Sequence, residues 1–372
     1  MQNATSTETS PTTFIRYSDS VEVKKPDEDK VFDDIAAAMH RLNLLMYDRY
    51  RHAIRSVHAK SHGLLRGQVT VHDNLPEPLR QGLFAAPATY PAILRLSTNP
   101  GDLLADSIST PRGMAIKVIG VTGEVLPTHA PNVTQDFVLA DGKAFGSPDA
   151  AGFLGAQRLI EKNANDPEFL KKIVSFTARG VNAALGVVGQ HSPSLEQLGR
   201  PETHILGETF YSAVPLRYGD YIAKIRVAPA SPNLKELVNK HLNAKFHYSA
   251  LRDAVVEFFK TQSAEWEIGV QLCADLASMP IEDASKEWPE DISPYRPVAH
   301  LTVGPQDAYS PRRRVYVDDI LSFNPWHALA AHRPLGNIMR ARFKAYQVSS
   351  SFRHEMNDRA AVEPRSIDDL PD

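Results

Sequence analysis

Asp220-Tyr-Ile-Ala-Lys-Ile-Arg-Val-Ala228 sets the reading of the fold. Tyr221, Ala223, Ile225 and Val227 alternate with Ile222, Lys224 and Arg226, so a strand here has one oily face and one mixed face. Six further segments share this period of two and are separated by Pro, Gly and Asn/Asp turns: residues 67–72, 92–97, 113–119, 134–140, 265–273 and 297–303. Seven or eight such strands suit a closed antiparallel barrel, whose closure leaves no edge to aggregate. Helical periodicity replaces the alternation elsewhere. Phe32, Ile35, Met39, Leu42 and Met46 recur at intervals of three and four, and further helices are expected over about 149–162, 167–185, 250–261 and 337–357. Residues 283–334, rich in Pro, Trp and Asp, read as a segment wrapping over a surface.

The 372 residues are 42% hydrophobic and 23% charged, the balance of a globular protein with a sizeable core. A net charge of −3 gives no basic footprint for nucleic acid or an anionic membrane. The single cysteine, Cys273, excludes an internal disulfide, a Cys-rich zinc site and a CxxC redox pair, and implies a reducing compartment. The N-terminus has no secretory pattern and no apolar run reaches the ~20 residues that span a bilayer, so the expectation is a cytoplasmic protein without a membrane anchor. Residues 1–30 are too polar to order alone and form an arm, residues 31–360 form a single domain, and 361–372 form a tail.

Several local motifs carry little by themselves. His58 and His62 are four apart, a spacing that on a helix could offer two imidazoles to one metal, but no Glu adjoins the first, and a loop with two hydrogen-bonded histidines accounts for them. Arg312-Arg-Arg314 reads as a solvated turn or a set of ion pairs, and Cys273 as a small apolar core residue. Arg342 and Tyr346 are i and i+4 on the last helix, which lets the guanidinium reach the phenol oxygen and favour phenolate. Taken alone, that pair is an ordinary helix-surface contact.

Five segments in order resemble the haem catalases: Arg55-Ser-Val-His58-Ala-Lys the distal segment, Leu94-Arg-Leu-Ser-Thr98 with Thr110-Pro-Arg-Gly-Met-Ala-Ile-Lys117 the run of the form RFST…RDPRGFAVK, Asp283-Ala-Ser-Lys-Glu-Trp-Pro289 and Ser322-Phe-Asn-Pro325 the wrapping segment, and Arg342-Phe-Lys-Ala-Tyr346 the proximal Arg-x-x-x-Tyr motif. The resemblance spans about residues 53–353 and implies an α+β fold, an eight-stranded antiparallel barrel with surrounding helices, binding haem b. It implies that Tyr346 ligates the iron and that Arg342 holds it anionic. His58 is then the distal acid–base, Asn132 the distal amide, Ser97 the partner of the second His58 nitrogen, and Arg55, Arg95 and Arg353 the partners of the haem propionates. Phe137 and Phe145 match aromatic positions of the pocket.

The activity implied is decomposition of hydrogen peroxide or organic hydroperoxides through a ferryl intermediate. The alternative on the same scaffold is a fatty-acid hydroperoxide isomerase or lyase, and a third is a haem sensor or store without turnover. Val57, before the distal histidine, favours the hydroperoxidase, because an allene oxide synthase of the superfamily carries Thr there. Gln135 and Asp136 depart from the family's Asn-x-Thr-Pro-x-Phe. The chain is shorter than catalase monomers, so no nicotinamide cofactor is expected, and the partners are a peroxide or lipid hydroperoxide and further copies of the chain, as a dimer or tetramer.

Overall fold

The computed structural model describes residues 13–163 and 202–372, so the helix expected over 167–185 lies outside the described residues. Nine strands form one antiparallel sheet: β1 (Lys60–Val71), β2 (Thr89–Thr98), β3 (Arg112–Ile119), β4 (Thr134–Ala140), β5 (Phe210–Tyr211), β6 (Leu216–Tyr218), β7 (Tyr221–Pro229), β8 (Ala264–Leu272) and β9 (Arg296–Val303). Their order is β5-β4-β3-β2-β1-β9-β8-β7-β6, and a second pairing, β5 with β7, closes eight of them into a barrel. β6 is a short hairpin arm on β7, turned through Gly219 at φ +60°, where a Cβ would meet the side chain of Gln81.

The alternation read in residues 220–228 holds. Tyr221, Ala223, Ile225 and Val227 join Leu94, Leu96, Ile116, Val118, Trp266 and Val270 inside the barrel. The mixed face is buried too, because Ile222 packs with Cys273, Met279 and Trp288, and the Lys224 ammonium lies over the Trp288 ring. The wrapping segment therefore covers the outside of the barrel, although β9 runs through it and residues 311–320 form a helical turn. Double burial explains the largest boundary error. β1 begins at Lys60 rather than at residue 67, since Leu64 packs outward on Val317 and Leu321 while Leu65 packs inward, and no oily–polar alternation marks the start. β5 and β6 are too short to show a period at all.

Four helices matter for the site: α1 (Glu28–Tyr50), α2 (Ala150–Asn163), α3 (Ala250–Phe259) and α4 (Asn337–Met356). α1 and α2 bury Phe32, Ile35, Met39 and Leu154 against Ala341 and Ala345 of α4. Among the described residues, no helix is long and apolar enough to cross a membrane. Of the three consecutive arginines, Arg313 is no solvated turn: it is buried and donates to the Leu64 and Pro371 carbonyls, tying β1 to the chain's end. Cys273 is core, as expected, and burial pushes its thiol up to about 12.

The start of α4 is fixed by Arg340, whose guanidinium reaches Glu28 at 2.9 Å, Glu22 at 2.8 Å and Glu282 at 3.1 Å. The same carboxylates cap the helix, accepting from the Gly336 and Asn337 N–H groups. Burial would raise the Glu28 carboxyl, but hydrogen bonds from Arg340 and Asn337 outweigh it and hold it below its usual 4.5. Arg340→Ala leaves the three carboxylates without the cation they share and is expected to cost about 3 kcal/mol near neutral pH. Because a depressed carboxyl stabilises the fold above its ordinary value and ceases to do so as pH falls through its folded value, the deficit should shrink on acidification below about 4.5. Urea unfolding of wild type and variant across that range checks it; a deficit independent of pH would mean that the carboxylates are not what Arg340 holds.

Candidate functional site

A cavity of about 440 Å³ lies against the outer face of β2, β3 and β4. Period two brings Arg95 and Ser97 from β2, Gly113 and Ala115 from β3, and Val138 from β4 to its wall, and the core residues Met114 and Leu139 border it as well. Tyr346, Ser350 and Arg353 of α4, Met39 of α1, and Phe323 from the wrapping segment line it as well. The loop before β1 adds Arg55, Val57 and His58, and the turn before β4 adds Asn132.

His58 is held from several directions. Its backbone is left-handed at φ +51°, its N–H donates to Asn99 Oδ1 at 3.2 Å, and its carbonyl accepts from Arg95 Nη1 at 2.9 Å. The ring lies where a side chain on Gly113 would be, since a Cβ there would come within 2.7 Å of Nδ1. Ser97 Oγ is 3.3 Å from Nδ1. Burial, reinforced by the Arg95 and Arg342 charges, pushes the imidazole down to about 3, so it is neutral over the physiological range.

On α4 the expected i,i+4 pair forms, with Arg342 Nη2 donating to Tyr346 Oη at 2.7 Å. Three more guanidiniums surround the cavity. Arg95 donates to Asp318 Oδ1 at 2.8 Å, as well as to the carbonyls of His58 and Ala59. Arg55 donates to the Val317 and Leu321 carbonyls, and Arg353 to the Leu321 carbonyl and Ser322 Oγ. The Nε atoms of both Arg55 and Arg353 are buried without a partner. Burial and the neighbouring Arg353 and Arg95 charges depress Arg55, while burial and Arg95 lower Arg353 to about 10. Two guanidiniums, each with a buried and unspent Nε–H, beside an apolar wall suit an apolar ligand that carries carboxylates.

Not every sequence expectation meets here. Phe137 faces the barrel interior, packed against Phe84 and His332, because alternation puts it opposite Asp136 and Val138. Phe145 packs against Phe153 and does not line the cavity either. His58 and His62 are hydrogen-bonded, as expected, but they do not share one loop. His62 lies in β1, fully buried, with Nε2 2.9 Å from Thr98 Oγ1. Gln135 and Asp136, the departures from the family motif, do not line the cavity. Gln135 accepts from Leu329 N–H, and Asp136 pairs with the buried Lys117 at 2.8 Å. Sequence reasoning passed over Gly113, Phe323 and Asp318, although Gly113 and Phe323 stood inside motifs already singled out.

No family model and no curated protein matches the chain. Solved structures do. A fungal catalase superposes with a TM-score of 0.58 at 16% identity, covering 83% of this chain and 61% of its own. Catalase A from Saccharomyces cerevisiae gives 0.60 at 15% identity, covering 94% and 70%. A bacterial catalase gives 0.55 at 15%, covering 83% and 59%. The chain thus spans about three fifths of the fungal and bacterial catalases, and its barrel, helices and wrapping segment make up a catalase-like fold.

Proposed function

We propose that the chain is a haem-dependent hydroperoxidase that decomposes hydrogen peroxide or organic hydroperoxides. The observation that carries this reading is the convergence of His58, Tyr346 and the Arg55 and Arg353 pair, from opposite ends of the chain, on one cavity. Tyr346 is the iron ligand in this reading, with the Arg342 cation against its oxygen. Arg55 and Arg353, each with a buried Nε unpaired, and the N–H groups that Arg95 has left, take the haem carboxylates. Haem b, when bound, supplies the iron that takes up the peroxide and the ring that shares its oxidising equivalents.

The proton work falls to His58. With Nδ1 beside Ser97 Oγ, the nitrogen left is Nε2, which takes the proton of the incoming hydroperoxide as base and returns it to the departing oxygen as acid. A neutral imidazole is required to begin, and burial supplies one. Asn132 can offer its amide to the outer oxygen. The isomerase reading is not favoured, because Val57 offers the distal imidazole no hydroxyl. The domain in this proposal runs over residues 31–360.

Three substitutions test it. Tyr346→Phe is expected to yield a folded protein with little haem or a changed axial ligand; an optical spectrum unchanged from wild type would remove Tyr346 as the ligand. Ser97→Ala should slow peroxide cleavage by about fivefold to tenfold, one hydrogen bond of ~1 kcal/mol, and a loss as deep as that of removing His58 would show the two roles to be misassigned. His58→Ala should retain haem and lose roughly a hundredfold to ten-thousandfold in stopped-flow reaction with hydrogen peroxide. Since His58 titrates at about 3, the wild-type rate should hold level as pH falls to mild acid and decline only toward that value. A wild type inert to hydrogen peroxide whose fatty-acid hydroperoxide products are rearranged, and unaffected by His58→Ala, would reverse the choice between the two enzyme readings.

A further inference from the structure

Beyond α4 the chain crosses the edge of the cavity and is fastened on both sides of the crossing. At the near side, Asn357 clasps the backbone of Ala53, its Oδ1 accepting from Ala53 N–H at 2.9 Å and its Nδ2 donating to the Ala53 carbonyl at 2.8 Å. At the far side, Glu363 accepts from Thr134 Oγ1 at 2.5 Å and from the Lys117 ammonium. Between them, Ala361 and Val362 line the cavity while Val362 is 44% exposed, which places it at the mouth, touching both the cavity and bulk water. Among the described residues, 360–362 belong to no helix or strand.

The fastening is a cluster of one buried ammonium and two carboxylates. Lys117 is fully buried, so its ammonium must be neutralised from within, and Asp136 and Glu363 do this. Asp136, His327 and Glu363 lie close enough to suggest a metal, but the ammonium already sits among them, 2.8 Å from Asp136 and 3.5 Å from His327. The residues after Glu363 are held independently, by buried Leu370 and by Arg313 on the Pro371 carbonyl. Loss of Glu363 therefore frees the crossing without undocking the chain's end.

We propose that Glu363 is a specificity-determining residue: by holding residues 358–362 as a strap over the cavity mouth, it admits hydrogen peroxide and small alkyl hydroperoxides and restricts long-chain hydroperoxides. The proposal rests on the hydroperoxidase reading above. The experiment uses haem-loaded wild type, Glu363→Ala and Val362→Trp, the last placed at an exposed position so that folding is spared. Hydrogen–deuterium exchange is read first. In Glu363→Ala, amides of 359–363 should exchange about tenfold faster while β3 and β4 are unchanged. The ratio of kcat/KM for an eighteen-carbon fatty-acid hydroperoxide to that for hydrogen peroxide should then rise about fivefold in Glu363→Ala and fall by a similar factor in Val362→Trp, each a shift of about 1 kcal/mol. Unchanged exchange in Glu363→Ala would show that no strap is fastened there. Faster exchange with an unchanged ratio would show a strap without a role in selection. A haem-loaded wild type that consumes neither peroxide removes the hydroperoxidase reading, and the selectivity claim with it, whatever the exchange arm shows.

Discussion

Around the cavity, β2 from Ala92 onward, β3 and β4 are covered on both faces, and most of what is distinctive in the site follows from that constraint. An ordinary antiparallel sheet can point its polar residues at water, but here the wrapping segment and α4 cover the outside, so each outward polar side chain on β2, β3 and β4 must find a partner within the protein. Arg95 finds Asp318 and the His58 carbonyl, Lys117 finds Asp136 and Glu363, and Ser97 finds His58. The candidate site is assembled from the same polar outward positions that the covering layer satisfies. Fold and site are therefore not separable. The segment that completes the burial also delivers Phe323 to the cavity and Asp318 to Arg95 behind its wall.

The helix carrying Tyr346 is positioned by charge at one end and by packing along its length. Arg340 fixes its start to Glu22, Glu28 and Glu282, which come from the N-terminal arm, α1 and the turn just before the wrapping segment. Ala341 and Ala345 then let α1 approach closely, bringing Met39 to the cavity wall beside the phenol. Tyr346 thus depends on contacts made far from it in sequence.

The barrel was legible because strand periodicity survives wherever one face is oilier than the other, as in residues 220–228. It was lost where both faces are buried and polar residues such as Lys60 and His62 are buried with the rest, at the start of β1, and where strands are too short to have a period, at β5 and β6. For the site, spacing correctly paired Arg342 with Tyr346, and the step of two along β2 correctly put Ser97 on the face of Arg95. The same rule, applied to β4, would have sent Phe137 into the barrel, since Asp136 and Val138 occupy the other face. Phe145 could not be read this way, because it lies in a loop without period. Asp318 was hidden for the same reason, in an irregular helical turn whose geometry no local pattern announces.

Charge accounting connects the empty-handed guanidiniums to the behaviour of the whole site. Arg55, Arg95 and Arg353 converge on a cavity where Asp318 is the acidic group bonded to Arg95, and Glu363 is already committed to Lys117. Burial first, and the neighbouring guanidiniums second, depress Arg55 and Arg353. The backbone carbonyls of Val317 and Leu321 offset part of the charge surplus, but dipoles are weaker partners than charges, and two buried Nε groups are left over. An anionic ligand relieves the repulsion and supplies the missing acceptors at once. With haem bound as proposed, its binding free energy would add to the stability of the fold by mass action, and the arginines proposed to hold it are those whose mutual repulsion its carboxylates would reduce.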